Sequence, residues 1–239
     1  MPTYGGRMEI FMIGIIGAMT IEVDGLRKLM TDTTDTKIGK TTFTKGMLCG
    51  KDAVVAVCGE GKVNAAMCAQ AMIMEFHPDI IINSGVAGGL SKSLKITDAV
   101  IADAVVQHDM DMSPLGYAPG HICGIDGIRI ECDTHAKNLL AQCVKDSNIN
   151  YITGVIASGD QFINSNEKKR WLIDTFDAAA CEMEGGAIGH VCKLNDTPFA
   201  VLRTISDGGD DNSHMSFPEF AALAAENSIK IMTLFTEKY

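Results

Sequence analysis

Short β-branched runs alternate with stretches of helical periodicity along almost the whole chain, and this alternation is the tightest constraint on its fold. Residues 10–16 read as a strand and 21–30 as a helix. Residues 41–49 and 53–58 read as a hairpin turning at Gly50-Lys51-Asp52. Apolar spacing predicts a helix over 62–76, a very apolar short strand over 79–83 and a longer strand over 99–107. Helices over 134–146, 167–176, 185–194 and 217–235 then interleave with strands over 151–158, 178–182 and 199–205. The pattern predicts an α/β fold with a central mixed, largely parallel, twisted sheet flanked by helices.

No Pro- or Ser-rich linker, composition break or solenoid repeat divides the 239 residues, so residues 12–239 are expected to form a single domain. Residues 1–11 read as a leader. The apolar run after Arg7 has the look of a short signal peptide, but Glu9 offsets the one basic residue and no Ala-x-Ala site follows. The run is also too short for a membrane span, and a buried first strand is the better reading. The loop over 108–133, rich in Gly, Pro, Asp and Met, is long enough to suggest a function or an interface.

A 46% hydrophobic share with 21% charged residues is enough for a sizeable core. The net charge of -10 argues against nucleic acid and anionic membrane surfaces as partners. The eight cysteines form no Cys-x-x-Cys pair, and no His/Cys cluster has zinc spacing. Buried thiols in a reducing cytoplasm fit them better than disulfides.

In open parallel sheets ligands bind beyond the carboxyl ends of the strands, so the residues after each strand are the candidates. Glu22 follows the first strand, as a base above the sheet or as a first-turn helix residue favoured by the macrodipole. Ser84-Gly85-Val86-Ala87-Gly88-Gly89 follows the 79–83 strand. It reads equally as a close backbone approach to a ligand or as a turn needing positive φ, and matches neither a dinucleotide fingerprint nor a P-loop. Phe162 within Ser-Gly-Asp-Gln-Phe-Ile-Asn at 158–164 suits stacking on a flat heterocycle, or a small satellite core. Glu182-Met183-Glu184 places two carboxylates on one side if the strand continues, able to hold a sugar diol or to cap the next helix. Asp207, with Ser206 and Arg203 as neighbours able to orient it, suits an acid or an Asx-turn cluster.

Taken together, these segments carry a resemblance. The order Ile-Ile-Gly-Ala-Met…Glu, Gly-Lys-Val-Asn-Ala-Ala, Asn-Ser-Gly-Val-Ala-Gly-Gly-Leu, Ser-Gly-Asp-x-Phe-Ile, Glu-Met-Glu, Arg-Thr-Ile-Ser-Asp and Ser-Phe-x-Glu-Phe closely resembles the 5'-methylthioadenosine/S-adenosylhomocysteine nucleosidases of the nucleoside phosphorylase superfamily. It runs from about Met12 to the C-terminus. The resemblance implies that Glu22 activates the attacking water, Glu184 holds the ribose hydroxyls above Met183, and Asp207, supported by Ser206, serves N7 of adenine. It implies that Phe162 stacks on the base, that the backbone of Ile163 reads its edge, and that Val86, Ala87 and Gly88 wall it. Met19, Met112, Leu115 and Phe217 are implied to line a 5'-alkylthio pocket, part of it supplied by the second subunit of a homodimer. No metal or organic cofactor is implied. The expected reaction is release of adenine by water, in line with the leaving-group protonation and cationic sugar centre of glycoside cleavage.

Two departures from the family pattern stand out. Glu60, in Cys-Gly-Glu-Gly-Lys at 58–62, replaces a residue that is more often apolar, commonly Ile, and Thr20 and Ile21 replace acidic residues ahead of Glu22. Among rival functions, a phosphorylase of the superfamily would need cations for phosphate, and its Arg ahead of the Gly-Ser turn is replaced by Asn83. A futalosine-type nucleosidase would differ in base and 5' group. A non-catalytic nucleoside-binding or storage protein would be expected to have lost one of the three carboxylates, which are all present.

Overall fold

The computed structural model describes residues 11–125, 127–207 and 217–239, the side chains of 217–219 excepted. The expected leader falls outside the described residues apart from Phe11, whose ring centroid lies 4.8 Å from that of Tyr239. In chain order the elements begin with β1 (Met12–Gly17), α1 (Thr20–Leu29), β2 (Thr31–Ile38), β3 (Thr41–Leu48), β4 (Lys51–Val57), α2 (Lys62–Phe76), β5 (Ile80–Gly89) and β6 (Ala99–Gln107). After the long loop come β7 (Ile130–Glu131), α3 (Thr134–Asp146), β8 (Tyr151–Ser158), α4 (Asn166–Phe176), β9 (Ala178–Glu182), α5 (Gly185–Leu194), β10 (Phe199–Asp207) and α6 (Phe217–Lys238).

These strands form one mixed sheet in the order β2-β3-β4-β1-β5-β10-β6-β8-β9. The parallel pairings β4–β1, β1–β5 and β5–β10 lie at its centre, and the β2–β3–β4 meander is antiparallel. Side chains of the central strands alternate between two cores. Ile81 faces the layer containing Ala65, Ala69 and Met72 of α2 and Ile188 of α5. Ile80 and Ile82 face the layer containing Leu26 of α1, Leu140 of α3 and Phe235 of α6. Period-two alternation between two apolar faces is why the strand read as a continuous apolar run.

β5 departs from the expectation in a way that matters. The sequence placed its end at 83, with a turn after it. The strand instead continues to Gly89, and Gly85, Gly88 and Gly89 are not among the residues with positive φ. Pairing explains the extension. β5 follows β1 only as far as Asn83, follows β10 as far as Gly88, and then meets β9 at Gly88 and Gly89. β10, β6, β8 and β9 therefore curl round until β9 returns to the end of β5. The mouth opens where β5 has left β1 and not yet joined β9.

β2 went unread because Thr-Asp-Thr-Thr-Asp-Thr-Lys-Ile has no apolar alternation. It is an edge strand, largely exposed, paired only with β3, and solvated charges are the usual protection of such an edge.

The two kinds of strand predict different sensitivities. Ile82→Ala, in the fully buried part of β5, is expected to lower unfolding free energy by about 2–5 kcal/mol. Thr34→Ala, exposed on β2, is expected to change it by less than about 0.5 kcal/mol. Urea unfolding of both variants measures this, and equal losses would contradict the assignment of core and edge.

Candidate active site

β10 reads Phe-Ala-Val-Leu-Arg-Thr-Ile-Ser-Asp, and its one cation, Arg203, has no exposed surface. A guanidinium removed from water needs carboxylates and acceptors around it. Arg203 Nη2 donates to Glu182 Oε2 and Asn83 Oδ1 and lies 3.6 Å from Glu184 Oε2. The surrounding carboxylates hold its pKa above the ordinary arginine value despite burial.

Glu182 ends β9. Its Oε2 also accepts the N–H groups of Glu184 and Gly185 at 2.9 and 2.7 Å, and its Oε1 accepts the Ser158 hydroxyl. Those N–H groups open α5, where negative charge is favoured. Glu184 stands at the N-cap of α5, and its Oε1 accepts the Gly61 N–H at 2.8 Å. Gly61 is the N-cap of α2 with φ of 92°, a conformation that favours glycine. Burial, with the Glu182 charge beside it, pushes the Glu184 carboxyl up to about 7.

Glu22 lies in the first turn of α1, so its helix-capping reading is correct as far as it goes. Oε2 accepts the N–H groups of Ala18 and Met19 at 2.8 and 2.9 Å. Oε1 accepts the Val86 N–H at 2.9 Å, a donor that β5 freed by leaving β1. Three of roughly four in-plane acceptor positions of the buried carboxylate are thus used, leaving about one for a further donor. A Cβ at Gly85 would run into Arg203 Nη1 and stand 2.5 Å from Glu22 Oε1. Gly85 is small because these two side chains meet over it.

The β5–β10 register shifts between Ile205 and Asp207. Asp207 sits opposite Gly88, and its Oδ1 accepts the Ser206 hydroxyl at 3.0 Å. Arg203, expected as a neighbour able to orient Asp207, is directed to Glu182 and Asn83 instead: the two are four positions apart on β10, and the register shift between Ile205 and Asp207 breaks the alternation that would have put them on one face.

The segment after β8 is tied to α2. Asp160 Oδ1 accepts the Lys62 N–H at 2.7 Å, the Asp160 N–H donates to Asp109 Oδ2 at 2.9 Å, and Lys62 Nζ pairs with Asp109 at 2.6 Å. Phe162 on this braced segment is 62% exposed, so it is no satellite-core residue, whereas Ile163 is buried.

Glu22, Glu184 and Asp207 line one cavity of about 220 Å³. Its lining includes Val86, Ala87 and Gly88 of β5, Phe162 and Ile163 after β8, and Met183, Ser206 and Met19, all of them expected. Met112 and Leu115 do not line the cavity of their own chain. Met112 caps and Leu115 ends a short 3-10 turn, Ser113–Leu115, with Leu115 exposed. The side chain of Phe217 lies outside the described residues. Ala18, Gln161 and Cys181, to which the sequence reading gave no role, also line the cavity, as does Glu182, expected with Glu184 as a sugar-binding or helix-capping pair but not as the partner of Arg203. The available signal for Glu182 was Arg203 itself, since a charge in mid-strand requires a buried partner. None of the described lining residues is cationic. Among the described residues no cluster of His, Cys, Asp and Glu could hold a metal ion, and no helix is long and apolar enough to cross a membrane.

Comparison with known proteins gives consistent matches. The family model described as the phosphorylase superfamily matches residues 12–237. A 5'-methylthioadenosine/S-adenosylhomocysteine nucleosidase from Haemophilus influenzae (strain PittEE) is 39% identical over 217 residues, covering 90% of this chain and 94% of that protein. The Neisseria meningitidis enzyme of the same description, solved with methylthio-immucillin-A, superposes with a TM-score of 0.91 at 35% identity, covering 95% of this chain and 99% of that one. A Helicobacter pylori futalosine hydrolase (strain 26695) superposes with a TM-score of 0.90 at 36% identity, covering 96% and 99%.

The raised pKa of Glu184 gives a sign to the pH dependence of stability. A carboxyl protonated more readily in the folded state favours folding fully below its ordinary value of 4.5 and loses that contribution as pH rises through about 7. Glu184→Gln keeps an acceptor for Gly61. It is expected to stabilise the unliganded protein at pH 8, with the gain vanishing near pH 4.5. Urea midpoints across this range check it, and a pH-independent difference would refute the environment assigned to Glu184.

Proposed function

The chain belongs to the phosphorylase superfamily and, within it, to the 5'-methylthioadenosine/S-adenosylhomocysteine nucleosidases, and from that premise we propose that it hydrolyses the N-glycosidic bond of these nucleosides, releasing adenine and the 5'-thioribose. The observation that carries the choice of water over phosphate is the company kept by Arg203. Among the described residues the guanidinium beside the cavity is that of Arg203, which is engaged through Nη2 by Glu182 and Asn83 with Glu184 next to it, and the described lining has carboxylates and no cation. Phosphate needs the reverse.

In this reading the base lies between Phe162 and the Val86–Ala87–Gly88 edge, with Ile163 at its rim. Glu184 accepts the ribose hydroxyls above Met183 and places negative charge beside the cationic sugar centre. Water, held by the remaining acceptor position of Glu22, adds to the anomeric carbon and gives its proton to Glu22. The glycosidic electron pair goes to the purine, whose N7 takes a proton from Asp207, with Ser206 fixing the carboxyl. Three carboxylates in three different surroundings are what opposite proton tasks require.

The reading includes a homodimer in the cytoplasm. Val63, Met67 and Met74 expose one apolar stripe along α2, of the sort that association covers. Leu115 and Met112, away from the cavity of their own chain, suit the 5' end of a partner's site, with Phe217 as the remaining member of that wall. Eight free thiols remain reduced in that compartment. A futalosine-type substrate is the second reading, favoured by the likeness to the Helicobacter pylori hydrolase.

Chromatography of bases released from methylthioadenosine, adenosylhomocysteine and inosine, with and without phosphate, tests the proposal. Adenine release from the first two without phosphate is expected, and strict dependence on phosphate would sink it. Asp207→Asn is expected to lower kcat by about 10²–10⁴-fold while leaving the fold intact. A variant with near-parental kcat would refute the acid role.

A further inference from the structure

Among the described charged residues that line the cavity, Glu60 is used neither by the proposed chemistry nor by the Arg203 cluster. Glu60 belongs to the short connection between β4 and α2, and this connection is fixed at several points. Gly59 and Gly61 hold φ values of 87° and 92°, and the Glu60 carbonyl accepts the Asn64 side-chain amide at 2.7 Å. The next two N–H groups are bound to Glu184 and Asp160. Glu60 is therefore held at a defined place beside the sugar-binding carboxylate. It lines the same cavity as Met19, which the proposed reading assigns to the 5' end, while that reading assigns Phe162, Ile163 and Asp207 to the base.

The Glu60 side chain is exposed, and among the described residues no hydrogen bond or ion pair engages its carboxylate. Its neighbours across the cavity include Glu22 and Glu184, which raise the local negative charge. A carboxylate left without a cation on the wall of a small cavity gives nothing to an apolar 5' group, and covering it with one costs solvation. It attracts a donor, above all an ammonium, and repels an anion. Resting on the nucleosidase reading, we propose that Glu60 is a specificity-determining residue that makes the 5' end of this site select nucleosides bearing an ammonium group on the 5' substituent, over neutral alkylthio nucleosides and against 5' anions.

The test compares kcat/KM for adenine release from 5'-amino-5'-deoxyadenosine, methylthioadenosine and adenosine 5'-carboxylate by the full-length protein and by Glu60→Gln and Glu60→Ile. The amino-to-methylthio ratio is expected to fall about fivefold in Glu60→Gln, the upper end for a partly exposed ion pair, and the carboxylate-to-methylthio ratio is expected to rise. In Glu60→Ile methylthioadenosine is expected to gain most. The amino preference of the parent is expected to shrink as salt is raised from 0.01 to about 0.15 M. Ratios that stay within twofold across the three proteins overturn the role of Glu60 while leaving the nucleosidase reading standing. No adenine from any of the three nucleosides overturns that reading, and the inference with it.

Discussion

Arg203 is the constraint on which the rest of the site depends. A fully buried guanidinium in mid-strand has to be neutralised, and the chain does this with residues from two other strands and a helix start: Asn83 of β5, Glu182 of β9 and Glu184 at the N-cap of α5. Such a cluster is weak evidence for stability, since desolvation offsets most of the attraction. Its consequence is positional. Glu182 is turned inward and takes the first N–H groups of α5, so Glu184 is left to project between Arg203 and the N-terminus of α2. Gly85 has no room for a side chain because Arg203 and Glu22 close over it.

The sheet contributes a second element. By parting from β1 at Asn83 and meeting β9 at Gly88, β5 leaves a stretch of unpaired edge at the mouth of the fold. One of its free donors, the Val86 N–H, is given to Glu22. The same opening makes the cavity and sets the orientation of the carboxylate at its floor. Each acid ends in its own surroundings: Glu22 among backbone donors, Glu184 buried next to a like charge, and Asp207 beside one hydroxyl. A single cavity holding three carboxylates can divide base, binding and acid roles only by differences of this kind.

Much of this was legible in the sequence. Apolar periodicity located the elements from 62 to 76, 99 to 107 and 134 to 194 closely, because both faces of these strands and one face of these helices are buried. Position after a strand pointed to Glu22, Glu184 and Asp207, while each alone had a bland explanation, and for Glu22 that explanation also holds. Tertiary effects were illegible. Gly-rich sequence after Asn83 looked like a turn, since nothing local reveals that β10 and β9 will pair with it. β2 carries no apolar pattern because the sheet edge needs none. Glu182 and Arg203 were visible as charges in apolar runs, but their mutual pairing is a contact across 21 positions that no local spacing encodes.

The central claim is that a ring of carboxylates around a committed Arg203 admits water, and not phosphate, to the anomeric carbon. Its most direct test is early-time mass spectrometry of the sugar formed from methylthioadenosine in phosphate-buffered H₂¹⁸O, with unlabelled product incubated alongside to correct for exchange. The account predicts free 5-methylthioribose carrying ¹⁸O at the anomeric position above that background. An unlabelled sugar 1-phosphate would contradict it.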